Sequence, residues 1–397
     1  MTIGRRETLK LLGGAALAVG VGPILGGCTG PVRSTVAGRD VDLPGLDPVL
    51  ADLLFHASLA PSGHNAQPWV VSVEEPGRLR IGVAGDRRLP AVDPENRELL
   101  LSLGCFVENL CVTARDRGLA LDTRVIGETP GAPEILAVTL RREEPSPVPL
   151  ERIRQRRTVR RHHLPQELRS ADVRALAAPF GDRLAFLPSG SAGARWLSES
   201  TVEANRVQAA RDAAQEELSR WIRWSDEEAR RERNGLTPES MEITGLSGWY
   251  VRHFLRPASV MTPGFRERGV EAVREQLRSY GGWLVITSAD ASVATLVETG
   301  RLVERMWLGC RERQIAIHPM TQVLEEAPFR DQVAGELGVS GKVQFLLRAS
   351  YLARYPDPVS LRLPLSRFVT GLGAPAAANA SHANFGVDEQ AVRPRRG

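Results

Sequence analysis

Two short stretches carry the residue types and spacing to bind an anionic, heteroatom-rich ligand. In the first, Ala60-Pro61-Ser62-Gly63-His64-Asn65-Ala66-Gln67-Pro68-Trp69, small and turn-forming residues free backbone N–H groups and short side chains for close approach. The amides of Asn65 and Gln67 can both donate and accept hydrogen bonds. In the second, Ile153 to Arg161, Arg156 and Arg160 can meet a phosphate group with forked, charge-assisted hydrogen bonds, and Thr158 can add its hydroxyl. Each stretch alone also has a plainer reading, the first as a helix-to-strand loop and the second as a solvated charge cluster at a helix start. Their occurrence together is what favours a composite site.

The elements around them can be read from periodicity. Leu46 to Ala60 is helical, with Val49, Leu50, Leu53, Leu54 and Ala57 apolar, and strands are expected at Trp69 to Val73 and Leu79 to Val83. Asp93 is positioned to cap a long helix whose apolar residues, from Leu99 to Ala114, cover a broad face, so this helix is expected to be central and mostly buried. Gly118 ends it, and Leu119 to Val125 and Ile135 to Leu140 read as strands. A similar segment recurs: Gly104-Cys105-Phe106-Val107-Glu108-Asn109-Leu110 aligns without a gap with Gly300-Arg301-Leu302-Val303-Glu304-Arg305-Met306, and the match continues through turn and strand. A match of that extent favours duplication over two amphipathic helices sharing periodicity by chance. Pro188-Ser189-Gly190 echoes the first loop but lacks the Asn and Gln-Pro-Trp that follow it there.

With 397 residues, 42% of them hydrophobic and 25% charged, the chain can hold one large or two ordinary domains with a full core. The net charge of +4 comes almost wholly from arginines scattered among acids, and no basic stripe interleaved with aromatics points to nucleic acid. Arg5 and Arg6, followed by the apolar stretch Leu11 to Leu25, read as a twin-arginine export signal, and Leu25-Gly26-Gly27-Cys28 as a lipoprotein cleavage site with Cys28 lipidated. The expected location is therefore extracytoplasmic, on the membrane through a lipid anchor. Cys105, Cys111 and Cys310 read as core thiols. No residues stand at metal-ligand spacing, so no metal is expected. No phosphate-binding loop, nucleophile elbow or Gly-x-Gly-x-x-Gly motif after a strand is present.

The run Ser-x-x-Asn-x-Gln-Pro-Trp resembles the flavin-contacting loop of the nitroreductase family, and Arg156-Arg157-Thr158-Val159-Arg160 resembles the arginine motif with which those proteins begin. Ser360-Leu361-Arg362-Leu363-Pro364-Leu365 is similar to the family's closing motif. In layout the chain most resembles the Acg-like FMN-binding oxidoreductases, from about Leu46 to Val369. The resemblance implies an α+β, nitroreductase-like fold of two fused pseudo-symmetric halves: a signal over 1–28, a tether over 29–45, a first half over 46–150, a second over 151–369 and a tail over 370–397. An insertion at about 194–263, with a long helix from Glu199 to Glu232 carrying Trp221 and Trp224, reads as a surface excursion or as a lid bringing Trp249 and Tyr250 over the ligand. The resemblance further implies one FMN between the halves, held by Ser62, Asn65, Gln67, Arg156, Thr158, Arg160, Ser360 and Arg362, with Pro319 and Met320 near the ring. The implied activity is two-electron hydride transfer through FMN to a nitroaromatic, quinone or related small-molecule acceptor, with no dedicated catalytic side chain. The alternative is a protein that binds and sequesters flavin without turnover under a closed lid. A fused pair already buries the usual dimer interface, so a monomer is expected.

Overall fold

Two largely antiparallel sheets and a crossed pair of central helices account for most of the computed structural model, which describes residues 43–371. The export signal with Arg5 and Arg6, the lipidation position Cys28, most of the tether and almost all of the tail lie outside the described residues. Pro48–Ser58 starts the fold as a helix, with Pro48 in its first turn and the Asp47 carboxylate accepting from Leu50 N at 3.0 Å. Strands β1 (Trp69–Glu75) and β2 (Arg78–Val83) form a hairpin that turns at Gly77, whose φ is +80°. The helix Arg97–Asp116 follows, then β3 (Leu119–Val125) and β4 (Glu134–Arg142).

The start of the Arg97–Asp116 helix refines the expectation for Asp93. Asn96 occupies the capping position in a left-handed conformation and makes no side-chain cap. Asp93, three residues earlier, instead reaches over the first turn and accepts from Glu98 N and Leu99 N at 3.1 and 2.9 Å. It satisfies the free donors of the helix from outside the turn.

The second sheet contains β5 (Leu184–Pro188), β6 (Gly282–Ser288), β7 (Ile315–Pro319) and β8 (Lys342–Tyr351), with the helix Val293–Leu308 between β6 and β7. Its order is β7-β8-β6-β5, and the first sheet runs β3-β4-β2-β1 before adding β9 (Val369–Thr370). Third, fourth, second and first strands thus lie in the same order in both. The final strand leaves the second sheet and pairs parallel with β1, Val71 opposite Val369. This return lays residues 361–368 against the 59–67 loop. Pro188-Ser189-Gly190 does not match that loop in place, because it follows β5 whereas Pro61-Ser62-Gly63 precedes β1.

The largest difference between the two sheets is the link from first to second strand, a two-residue turn in one and a helical excursion in the other. The excursion holds Ala192–Ala210, Asp212–Trp221, Asp226–Glu232, Gly245–Phe254 and Pro263–Gln276. The single helix expected from Glu199 to Glu232 is therefore three. Arg211 is extended, at φ −80° and ψ 115°, and Ile222 begins a second break. The excursion covers the outer face of the second sheet. Leu284 and Ile286 of β6 face one core with Val303, Met306 and Trp307, while Trp283 and Val285 face another with Ala194, Leu197 and Ala204. Burial on both faces explains why β6 reads as a continuous apolar run without alternation.

Candidate functional site

The central helices cross closely because glycine faces backbone. A Cβ on Gly104 would lie 2.1 Å from Val297 O, and one on Gly300 would lie 2.1 Å from Leu101 O. Beside this crossing lies a cavity of about 270 Å³. Cys105, Val303, Trp307 and Phe345 give it apolar walls, and Ser62, His64, Thr158, Arg160, His318 and Pro319 contribute polar and turn residues from both sheets' connections. Glu98, Gln208, Thr321, Gln322 and Glu325 line it as well.

The 60–69 loop is held in a strained shape. His64, Asn65 and Gln67 have φ of 48°, 54° and 54°, a region costing a non-glycine residue about 1–3 kcal/mol. Gln67 N donates to Ser62 Oγ at 3.0 Å, which closes the loop and leaves Ser62 at the cavity wall. Asn65 turns away from the cavity: its Nδ2 donates to Gly235 O and Leu361 O, at 3.1 and 3.2 Å, and its Oδ1 accepts from Arg362 at 2.9 Å. Gln67 is fully buried, donating to Arg233 O at 3.1 Å and accepting from Leu363 N at 2.9 Å. Both amides join the loop to the insertion and the C-terminal return.

The arginines divide in a similar way. Arg156 is buried, with an ion pair to Glu304 at 3.0 Å, a bond to Leu59 O at 2.7 Å and its guanidinium over the Trp307 ring at 5.0 Å. Arg362 also reaches Leu59 O, at 2.9 Å. Asn65, Arg156 and Arg362 therefore converge, but on the backbone behind the cavity. Thr158 and Arg160 line the cavity itself, and Arg160 donates to Ser240 O at 2.7 Å. Pro319 lines it too, whereas Met320 is buried in the core against the insertion and Ser360 is half-buried away from the lining. Of the ten cofactor-contact residues expected from sequence, Ser62, Thr158, Arg160 and Pro319 reach the cavity, and Asn65, Gln67, Arg156, Met320, Ser360 and Arg362 do not.

Electrostatically the cavity has two unlike sides. Near Arg160 lies Arg348, almost fully buried, which donates to Arg160 O at 2.6 Å and to His318 Nδ1 at 3.2 Å. Burial and the neighbouring Arg160 hold its guanidinium down to about 9, and burial, with the charge of Arg157, lowers Arg160 as well. His318 is held well below its usual range by burial and these arginines, and His64 is pushed down to about 4, chiefly by burial. Across the cavity, burial followed by the charge of Glu98 raises Glu325 to about 8, and the same two causes raise Asp93 to about 7. Buried polar atoms of three lining residues, His64 Nδ1, Trp307 Nε1 and Gln322 Oε1, make no hydrogen bond within the chain. Unmatched donors and acceptors around one cavity are the expected complement of a polar ligand.

The insertion reaches this cavity through Gln208, not through an aromatic lid. Trp221 packs behind the wall with Ala66, Leu89 and Val92, Trp224 packs with Ile222 and Val260, and Trp249 and Tyr250 are half-exposed on a helix outside the lining. The carboxylate of Glu242, also in the insertion, accepts from Arg157 at 3.0 Å and from the backbone N–H groups of Arg160 and Arg161 at 3.1 and 2.7 Å. Sequence patterns gave no hint of Glu98, Gln208, Glu325 or Arg348 at the site. His318 stood beside Pro319 and Met320, so its place could be anticipated. Among the described residues no group of histidine, cysteine and carboxylate side chains could hold a metal.

No protein-family model matches the chain. Among solved structures it is similar to the FMN-dependent nitroreductase NfnB from Mycobacterium smegmatis, solved with NADPH, at 18% identity and a TM-score of 0.34, over 55% of this chain and 94% of that one. In sequence it is similar to the "Probable NAD(P)H nitroreductase PigM" of a Serratia species, 24% identical over 315 residues, which is 74% of this chain and 85% of that protein. It is also similar to a "Putative NAD(P)H nitroreductase" of Mycobacterium tuberculosis, 27% identical over 328 residues, covering 77% of this chain and 86% of that protein. The fold is mixed α+β, and the sequence relatives support a place for the chain in the nitroreductase family.

Proposed function

We propose that this protein is an FMN-binding oxidoreductase of the nitroreductase kind, built from two fused halves that share one flavin site. The observation that carries the reading is the cavity at the helix crossing, lined by Ser62 and His64 before β1 and by Thr158, Arg160, His318 and Pro319 from the second part of the chain. The common strand order and the reciprocal contact at Gly104 and Gly300 support duplication as the origin of the two halves. At about 270 Å³ the cavity falls just below the usual range of ligand sites, roughly 300–1,000 Å³.

The donor set fits a flavin. Apolar walls from Cys105, Val303, Trp307 and Phe345 suit the faces of an aromatic ring, and the unmatched atoms of His64, Trp307 and Gln322 suit a ring edge that alternates donors and acceptors. Bound FMN would supply two-electron hydride chemistry to a nitroaromatic, quinone or related acceptor. Arg160, with Arg348 behind it, would favour negative charge on that side of the cavity. Asn65, Gln67, Arg156 and Arg362 act one layer back, fixing the loop that presents Ser62 and His64.

The reading extends to export by the twin-arginine route, with Cys28 as a membrane anchor, and to a monomer in which fusion replaces dimerisation. Mass spectrometry of the mature N-terminal peptide and light scattering of the signal-free protein test these two points. A second reading, flavin sequestration, is favoured by Glu242, which fastens the insertion across the arginine motif. Export would also separate the protein from cytoplasmic nicotinamide donors. An anaerobic absorbance titration of the signal-free protein with NADPH, then dithionite, separates the readings. Bleaching of a bound flavin by NADPH supports the reductase, bleaching only by dithionite supports sequestration or another donor, and a protein that cannot bind flavin refutes both.

A further inference from the structure

Glu325 stands out among the cavity residues because the proposed flavin chemistry gives it no task. Its carboxyl lines the same cavity as Arg160, accepting from Thr321 Oγ1 at 2.8 Å and from Gln208 Nε2 at 2.5 Å. Three elements meet there: the short helix Gln322–Glu325, the insertion helix Ala192–Ala210 and the first turn of Arg97–Asp116. The charged groups facing it are Glu98 and Arg97 from the central helix and Asp93 from the turn before it, with the Arg211–Glu326 ion pair alongside. Arg97 is bound to Glu98 at 2.7 Å, and among the described residues no cation forms an ion pair with Glu325. Two carboxyl groups thus share one cavity, and the more enclosed one holds its proton at neutral pH.

We propose that Glu325 is the proton donor of this cavity, giving the proton that accompanies hydride when an oxygen-bearing acceptor such as a quinone is reduced. This rests on the flavin reading, which supplies the reductant. A quinone that receives hydride needs one proton on its other oxygen to become the hydroquinone. The O–H bond of Glu325 breaks, an O–H bond forms on the acceptor oxygen, and the bonding pair stays on Glu325 as carboxylate. The hydroxyl of Thr321 can accept a hydrogen bond from the protonated carboxyl and donate one to the carboxylate, so it serves both states. Water restores the proton through Glu98, whose side chain lines the same cavity and is 17% exposed. The fixed amide of Gln208 holds the second carboxyl oxygen, which makes the insertion a positioning element for this acid.

Infrared titration and kinetics of the flavin-loaded protein test the assignment with Glu325→Gln and Glu98→Gln. The expected result is a protonated-carboxyl absorption at pH 7 to which Asp93 and Glu304 also contribute, with a component that disappears only as pH rises through about 8 and that E325Q lacks. E98Q keeps this component but shifts its titration to lower pH, because the neighbouring negative charge is gone. Quinone reduction by E325Q falls about 100-fold, the scale of a lost general acid, and no longer shows the loss of rate that wild type shows as pH rises through about 8. Identical carboxyl spectra in wild type and E325Q, or unchanged quinone turnover with flavin bound, overturn the proposal and leave the flavin reading intact. Absence of flavin from the wild type overturns the flavin reading instead, and the infrared comparison still decides whether Glu325 holds a proton.

Discussion

Gly104 and Gly300 face one another at the crossing of the two central helices, each beneath a backbone carbonyl of the other helix. The carbonyl above Gly104 belongs to Val297, three residues before Gly300, and the one above Gly300 belongs to Leu101, three residues before Gly104. Cys105 adds a bond from its Sγ to Gly300 O at 3.2 Å. The exchange of roles between equivalent positions is what a local twofold relation between the helices requires. It also sets the cavity, because Cys105 and Val303 line it within a turn of the crossing.

Alanine at either glycine should therefore force the helices apart. Each new Cβ would sit 2.1 Å from a carbonyl oxygen, a contact that only backbone movement can relieve. We expect Gly104→Ala and Gly300→Ala to lower stability by at least about 2 kcal/mol, to similar extents, in urea unfolding. Two silent substitutions would mean that the helices do not approach as described.

Arg156→Ala tests whether this arginine works on the fold or on the ligand. Its guanidinium pairs with buried Glu304, bonds to Leu59 O and stays out of the cavity lining. The variant should lose about 3–5 kcal/mol of stability, the cost of leaving one member of a buried pair alone. Adding Glu304→Gln should recover part of that loss at alkaline pH, where the stranded carboxyl, already at about 7 beside Arg156, is ionised. A stable R156A protein that loses only flavin would transfer the residue to the site.

The two binding stretches were legible in the sequence as residue types, but their partners were not. Amides and guanidinium groups satisfy a backbone carbonyl as readily as a ligand, and Asn65, Gln67 and Arg156, expected as contacts, bond backbone carbonyls outside the cavity lining. The strands of the first sheet and the central helices followed from periodicity and from the repeated Gly-x-x-x-Glu segment, but the strand order did not. The insertion did not, because Arg211 breaks its first helix with no proline or glycine to announce it. The Glu98 and Glu325 wall could not be read at all, since only the fold brings the two segments together.

The buried titratable groups predict an unusual pH profile. Asp93 and Glu304, raised to about 7, and Glu325, raised to about 8, hold protons in the native state that the unfolded chain releases near pH 4. The stability they contribute is present below their unfolded values and is lost as pH rises through the native ones. His64, lowered to about 4, His163, lowered to about 3, and His318 act oppositely, adding stability as pH rises toward 6.5. Above about pH 6.5 the histidines have no more to give and only the carboxyl loss remains. Urea midpoints should therefore fall between about pH 6.5 and about pH 8, and E325Q should flatten the later part of the fall. A midpoint that rises across this interval would contradict the burial of these carboxyls.

Glu242 offers a test of how the insertion governs the cavity. Its backbone is left-handed, at φ 58°, and one carboxylate takes the side chain of Arg157 together with the N–H groups of Arg160 and Arg161. Two consecutive amides and a guanidinium on a single carboxylate fix the conformation of the segment that presents Thr158 and Arg160 to the cavity. Glu242→Ala removes these bonds at once and leaves no acceptor in their place. The charge-assisted bonds contribute on the order of 2 kcal/mol locally, enough to speed exchange of the Arg160 and Arg161 amides by more than tenfold. Flavin retention should fall in parallel, although Glu242 is outside the cavity lining. Unchanged amide exchange in E242A would show that the arginine segment holds its shape without the insertion.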